Sequence, residues 1–277
     1  MPALYVVATP IGNLEDITLR ALRVLREVKL IAAEDTRHTR QLLNHYDIKT
    51  KTTSYHEHNK WSKLDYLLSC LAEGDVALVS DAGMPGISDP GYELIKAAVQ
   101  RDIPVIPVPG PSVVIAALAV SGLPGDTFCY LGFLPHRPNQ RRRLLESVAD
   151  NPATIVVLET PHRLAASLND ILAVLGDRRI AVCRELTKIH EEIFRGMVSE
   201  AIRHFIEPRG EFALVIAGKQ AEKKREMTTE VESQLLSLRR SGEPAWSAIA
   251  RLSGQTGLSR KEMYQAWLRM GSGNSKS

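Results

Sequence analysis

Three short apolar strands each run straight into a loop of glycine and proline. Leu4-Tyr5-Val6-Val7-Ala8 leads into Thr9-Pro10-Ile11-Gly12-Asn13, Val76-Ala77-Leu78-Val79-Ser80 leads into residues 81–91, and Val105-Ile106-Pro107-Val108 leads into Pro109-Gly110-Pro111-Ser112. In a parallel α/β sheet such loops gather at the carboxyl edge of the strands, where ligands bind. Glycine lets backbone approach a ligand and proline stiffens the loop that does so. Three of them on one sheet predict a deep, rigid small-molecule site. Neither Gly-x-Gly-x-x-Gly after the first strand nor Gly-x-x-x-x-Gly-Lys-Ser/Thr is present, which argues against the common phosphate-binding loops. Asp81, directly after its strand, suits a hydroxyl or an amine better than a phosphate.

Strands and helices alternate along most of the chain. Ile17, Ala21, Val24, Leu25 and Val28, and then Leu64, Leu67, Leu68 and Leu71, have helical spacing. Continuous apolar runs at Leu30 to Ala33, Val76 to Val79 and Val105 to Val108 predict a mostly parallel sheet covered on both faces. The pattern pauses at Gly122-Leu123-Pro124-Gly125 and restarts with Phe128 to Leu131, Thr154 to Leu158, Ile180 to Cys183 and Phe212 to Ala217. Arg184 to Val198 lacks a crossover helix, so the second half is expected to mix parallel and antiparallel strands. The expected organisation is an α/β domain over residues 1–121, a second over 122–219, and a linker with a helical tail over 220–277.

The tail is compositionally distinct. Residues 221–277 hold ten Lys/Arg and six Asp/Glu, a balance of +4, against −1 for the remainder. Residues 220–230 form a charged linker. Val231 to Leu238, a segment opened by Pro244 with Ala248, Ile249 and Leu252 on one face, and a third starting at Ser259-Arg260-Lys261-Glu262 all have helical character. The last has the spacing of a capping box, and Tyr264, Trp267 and Leu268 are expected to face inward. This is a helix-turn-helix pattern with Arg260, Lys261 and Arg269 available for phosphates, although three helices also make a generic bundle. The final seven residues are disordered by composition. Cys70, Cys129 and Cys183 sit in or beside apolar runs without metal-ligand spacing and are expected as reduced thiols. The first strand begins by Leu4, which leaves no room for a signal peptide. The longest apolar stretch, Val113 to Val120, is far shorter than the roughly 20 residues that span a bilayer. A cytoplasmic protein without membrane contact is expected.

Five motifs carry a family resemblance. Residues 8–14 (Ala-Thr-Pro-Ile-Gly-Asn-Leu), 33–37 (Ala-Glu-Asp-Thr-Arg), 80–85 (Ser-Asp-Ala-Gly-Met-Pro), 89–91 (Asp-Pro-Gly) and 184–188 (Arg-Glu-Leu-Thr-Lys) resemble the bacterial 16S ribosomal RNA cytidine 2′-O-ribose methyltransferases, a branch of the tetrapyrrole methylase fold. The likeness runs continuously to about residue 219. It implies a two-domain α/β methylase fold with a small helical extension, S-adenosyl-L-methionine in the cleft between domains, 16S rRNA within the small ribosomal subunit as partner, and a homodimer. The cofactor would touch Pro10, Ile11, Asp81, Ala82, Met84 and Ser112 from the first domain and Leu158, Phe212 and Ala213 from the second. No metal is required.

A ribose hydroxyl is a poor nucleophile until its proton is leaving, and a positioned base contributes about 10²–10⁴-fold. Glu159, and Glu185 with Lys188, follow apolar strands and are the candidates. A lysine lowers a nearby hydroxyl's pKa, or acts as base if its own is depressed. The alternative is that Glu185 and Arg184 only form an interdomain ion pair. Arg37, and Arg141 and Arg142 in the triple-arginine run, are candidates for RNA contact, with Tyr55, Trp61 and Phe133 as stacking surfaces. His56 and His58 lack an obvious third metal ligand and favour substrate contact or local hydrogen bonding. Two other functions stay open: a same-fold methylase acting on a tetrapyrrole or protein side chain, and a non-catalytic cofactor-sensing RNA-binding module.

Overall fold

The computed structural model describes residues 2–219 and 227–271. Most of the expected charged linker and the expected disordered end lie outside the described residues. Two compact units divide the chain, Met1–Lys219 and Gln220–Ser277.

The larger unit contains two five-stranded sheets. The first is built from β1 (Leu4–Val7), β2 (Leu30–Ala33), β3 (Thr52–Ser54), β4 (Val76–Val79) and β5 (Val105–Val108), in the order β3-β2-β4-β1-β5. Every pairing in it is parallel. Its connections are α1 (Leu19–Glu27), α2 (Thr36–His45), α3 (Lys60–Glu73) and α4 (Tyr92–Val99), and α5 (Val113–Ser121) follows β5. The period of two along a strand sorts side chains between the faces. Ile31 and Ala33 pack under α1 and α2 with Val24, Leu25, Leu42 and Leu43, whereas Leu30 and Ala32 pack under α3 and α4 with Leu67, Leu71, Leu94 and Ala97. Both faces are therefore covered, which is why β2 and β4 are apolar without alternation.

The second sheet contains β6 (Phe128–Phe133), β7 (Thr154–Glu159), β8 (Arg179–Arg184), β9 (Glu192–Met197) and β10 (Phe212–Ile216), in the order β6-β7-β10-β8-β9. Only β6 and β7 pair in parallel, and the other three pairings are antiparallel. One face packs on α6 (Pro138–Ser147), α7 (Pro161–Leu175) and α8 (Val198–His204), with Ile155, Val157, Val182 and Leu214 meeting Leu145, Leu164, Leu168 and Ala201. The other face packs on α5, where Ala117 and Leu118 meet Val156, Ala181, Cys183, Ala213 and Val215. A helix that follows the first sheet in the chain thus serves as the cover of the second. Val113 and Val114 line a cavity between the sheets, whereas Ile115 on the same helix is 54% exposed.

The smaller unit comprises α9 (Thr229–Arg240), α10 (Ala245–Thr256) and α11 (Arg260–Gly271) around Leu235, Ile249, Leu252, Leu258, Met263 and Ala266. The capping box at the head of α11 is formed: the Glu262 N–H donates to the Ser259 hydroxyl oxygen (3.2 Å), and the Ser259 backbone N–H donates to the Glu262 carboxylate (3.3 Å). The inward face of α11 differs from expectation. Tyr264 and Leu268 are 51% and 54% exposed. Trp267 packs inward as expected, but Met263, Ala266 and Met270 take the places of Tyr264 and Leu268. The apolar pattern supports two faces one residue apart, and the one carrying Met263 and Ala266 fits against α9 and α10.

Candidate active site

The three Gly/Pro loops meet at the carboxyl edge of the first sheet. Thr9 and Gly83 exchange both backbone hydrogen bonds, at 2.9 and 3.0 Å, and the Thr9 hydroxyl donates to the Ser80 carbonyl. Gly83 has φ +79°, a conformation that glycine adopts without the cost a side chain imposes. Gly12 is needed for a different reason. A Cβ there would lie 2.5 Å from Lys188 Cγ and 2.9 Å from the Leu186 carbonyl oxygen, so the first loop presses directly on the segment after β8.

Between the sheets lies a cavity of about 440 Å³, the size of a site for a small organic molecule. One wall is apolar, from Ile11, Val113, Val114, Leu158, Leu186 and Ala213. Another carries three carboxylates, Glu34, Asp81 and Asp89. The Asp81 carboxylate accepts from the Asp35 N–H (3.0 Å), and the Glu34 carboxylate accepts from the Asp81 N–H (3.3 Å). Burial and repulsion by neighbouring carboxylates push Asp89 up to about 6 and raise Glu34 above its ordinary value. Across the mouth, the Ser88 and Tyr130 hydroxyls are hydrogen-bonded at 2.9 Å.

Lys188 is the one lysine or arginine among the lining residues described, and its charge is matched. Its ammonium donates to Glu185 (3.0 Å) and Glu211 (2.9 Å). Burial opposes the charge on Lys188, but these two bonds outweigh it and raise its pKa. Glu185, also opposed by burial, is lowered by the Glu211 N–H and the Lys188 ammonium. The segment is strained, with Glu185 at φ +50° and Thr187 at φ +66°. Such conformations persist only where the surroundings enforce them. Gly210 leaves room for the Glu185 side chain, since a Cβ there would lie 2.5 Å from Glu185 Cγ.

The cavity brings together Ile11, Asp81, Ala82, Met84, Ser112, Leu158, Glu159, Lys188, Phe212 and Ala213 from the sequence candidates. Pro10 does not line it and faces a separate pocket of about 30 Å³ with Thr9, Leu14 and His38. Glu159 differs from a base in waiting. It is 1% exposed and engaged by the Thr160 N–H, the Ser167 hydroxyl and Arg163. Arg141, a candidate for RNA contact, is 4% exposed and paired with Asp170 at 2.6 Å, so its guanidinium is committed to the interior. Arg142 shares that carboxylate but is exposed. Arg37 lies on the surface, paired with Asp35 at 2.8 Å. Tyr55 is buried and offers no stacking face, whereas Trp61 and Phe133 are exposed. The His56 N–H donates to Asn59 Oδ1 (2.8 Å). Glu34, Asp89, Ser88 and Tyr130 were missed as site residues. Glu34 and Asp89 had local signals, in the 33–37 and 89–91 motifs, and Ser88 lies in the same Gly/Pro loop as Asp89, whereas Tyr130 had none.

The family model for tetrapyrrole (corrin/porphyrin) methylases matches residues 3–202. The chain belongs to that family. Within it, the chain is 48% identical over 275 residues to the ribosomal RNA small subunit methyltransferase I of Synechocystis, covering 98% of this chain and 99% of that one. It is 53% identical over 218 residues to the same-named protein of Halalkalibacterium halodurans, covering 78% and 75%, and 53% identical over 223 residues to that of Thermotoga maritima, covering 79% and 100%. Among solved structures, uroporphyrin-III C-methyltransferase from Thermus thermophilus, complexed with S-adenosyl homocysteine, aligns with a TM-score of 0.57 at 21% identity, covering 78% of this chain and 97% of that one. Diphthine synthase aligns with a TM-score of 0.61 at 14% identity, covering 79% and 91%. The methylase fold is thus shared by enzymes with unlike acceptors, and the fold alone does not choose among them.

Proposed function

We propose that this protein transfers the methyl group of S-adenosyl-L-methionine to the 2′-hydroxyl of a cytidine ribose in 16S ribosomal RNA. The observation that carries the cofactor is the cavity's chemistry: apolar walls, three carboxylates, and a lysine already neutralised by two glutamates. Such a site favours an organic cation over an anion. The raised pKa values of Glu34 and Asp89 record burial first and mutual repulsion second, and a bound cation offsets both. S-adenosylmethionine is such a cation and supplies, when bound, a methyl group on a good leaving group. Ile11, Val113, Val114, Leu158 and Ala213 would enclose its apolar parts, and Asp81, Glu34 and Asp89 would offset its charge.

Lys188 is held as an ammonium, which removes it as a resting general base. Its place is to stabilise negative charge growing on the acceptor oxygen, with Glu185 and Glu211 fixing the Nζ position. The acceptor assignment rests on the relatives' names and on the five motifs that resemble 2′-O-methyltransferases. The decoding-region target, the homodimer and a cytoplasmic location follow from the same resemblance. Arg260 and Lys261 are exposed on α11 and suit a docking role for the tail.

The test is transfer of labelled methyl to small ribosomal subunits, followed by nucleoside analysis. Label in 2′-O-methylcytidine is expected. Label on a base or a protein, or none at all, refutes the assignment.

A further inference from the structure

The triple-arginine run fails as a simple phosphate patch because Arg141 is internal, yet its burial organises the surface around it. β6 ends at Phe133 beside Leu158 of β7, so the loop after β6 and the start of α7 emerge at the same sheet edge. Phe133 lines the cavity and is 50% exposed. Beyond it, His136, Arg137, Arg142, Arg143 and His162 are all exposed. Residues 133–143 and 160–166 contain no Asp or Glu. Glu159 and Asp170 are buried and engaged by Arg163, Arg141 and Arg142, and Glu211, which lines the cavity at the same sheet edge, pairs with Lys188. Arg163 also donates to the Leu134 carbonyl, and its other guanidinium nitrogen is 3.5 Å from His136 Nε2, so the loop is fastened to α7. The inner layer of ion pairs, Arg142 included, therefore holds the backbone, while among the described residues the outer layer presents the Arg137 and Arg143 guanidiniums beside the His136 and His162 rings. The positive end of the α7 dipole, with no acid in its first turn, opens at the same place.

We infer that this rim, from Phe133 to Arg143 with His162, is the face on which single-stranded RNA enters the cavity. A positively charged edge with an aromatic ring beside the site is how sequence-tolerant single-strand binding is built: cations track phosphates and the ring stacks a base. The rim is continuous with the cavity through Phe133, Thr160 and Pro161, so a strand held there places a neighbouring nucleotide at the site. The inference rests on the acceptor being RNA.

The experiment uses the full chain, with small ribosomal subunits as the probe in filter binding over a salt series. Arg137→Ala combined with Arg143→Ala is expected to weaken binding about tenfold. It should also make the dependence of log affinity on log salt shallower by about 1.4, since each single-strand phosphate contact contributes about 0.7. Phe133→Ala is expected to weaken binding about tenfold with an unchanged slope, as for loss of one stacked base. Calorimetry with S-adenosylmethionine on the double variant should match wild type and so establish that the fold is intact. Wild-type affinity and slope in both variants overturn the inference. Lost affinity at an unchanged slope in the double variant also overturns it, by assigning the rim to a ribosomal protein. Methylation by wild type with such results leaves the functional reading standing, whereas a wild type that neither binds nor methylates subunits sinks both.

Discussion

Asp89→Asn should stabilise the fold and weaken the cofactor site at once. Asp89 lies among Glu34, Asp81 and the Ser80 hydroxyl, and its carboxyl rises from 3.8 to about 6, through burial first and the Glu34 charge second. A rise of that size corresponds to about 3 kcal/mol at most, taking about 1.4 kcal/mol per pH unit. Partial access to solvent reduces this to about 1–2 kcal/mol. Because the folded state binds the proton more tightly than the unfolded one, the penalty is fully present above pH 6. It fades as pH falls from 6 towards 3.8 and is gone below. For a unit of this size about 1–2 kcal/mol shifts the melting temperature by about 3–6 °C. Thermal melts should therefore place Asp89→Asn above wild type by that margin at pH 8, with the gap closing by pH 4. In parallel, calorimetry at pH 8 should show S-adenosylmethionine binding at least about tenfold more weakly. Losing a hydrogen bond to a charged group typically costs about 1.5–3 kcal/mol. Wild-type affinity should likewise fall as pH drops below 6, where the free carboxyl is protonated. A variant no more stable than wild type at pH 8, or a gap that persists at pH 4, refutes the electrostatic account of Asp89.

Gly12→Ala should lower the melting temperature and the cofactor affinity together, because its Cβ would fall 2.5 Å from Lys188 Cγ and overpacking typically costs about 1–3 kcal/mol. An unchanged melt would show that the loop has room to yield. Lys188→Met should cut the single-turnover methyl-transfer rate far more than it cuts cofactor affinity, the signature of a transition-state role. A near-normal rate at saturating substrate would confine Lys188 to structure. Arg141→Ala should cost about 3 kcal/mol in chemical denaturation, the lower end for breaking a buried pair, since Arg142 still reaches Asp170. Arg142→Ala, on the exposed side of the same carboxylate, should cost less than about 1 kcal/mol. A chain ending at Lys219 should bind S-adenosylmethionine normally but lose affinity for small ribosomal subunits. Equal affinities would remove the tail as an RNA anchor.

What was legible in the sequence was whatever depends on local pattern. Uninterrupted apolar strands announced β1, β2 and β4, the missing crossover after Arg184 announced the antiparallel half, and the Gly/Pro loops announced the cavity. What was not legible depends on partners distant in the chain. Arg141 and Arg142 are adjacent and chemically alike, but helical rotation turns one towards Asp170 and the other to solvent. Glu159 ends a strand at the sheet edge, as a catalytic acid would, yet Ser167 one face along α7 and Arg163 claim it. Asp89 and Glu34 meet only because β2 and β4 are neighbours in the sheet. The one-residue error on α11 has the same origin, since two overlapping apolar stripes differ only in what they pack against.

The three carboxylates have a consequence for selectivity inside a cell. Adenosine is shared by many abundant metabolites, and most of them, ATP and the nicotinamide dinucleotides among them, are polyanions. A pocket whose apolar wall took the nucleoside and whose carboxylate wall repelled negative charge would admit the rare adenosine cation and turn away its plentiful phosphorylated kin. Two acids held at an energetic cost, Glu34 and Asp89, would thus help keep the site free for its cofactor without any contact devoted to recognising phosphate.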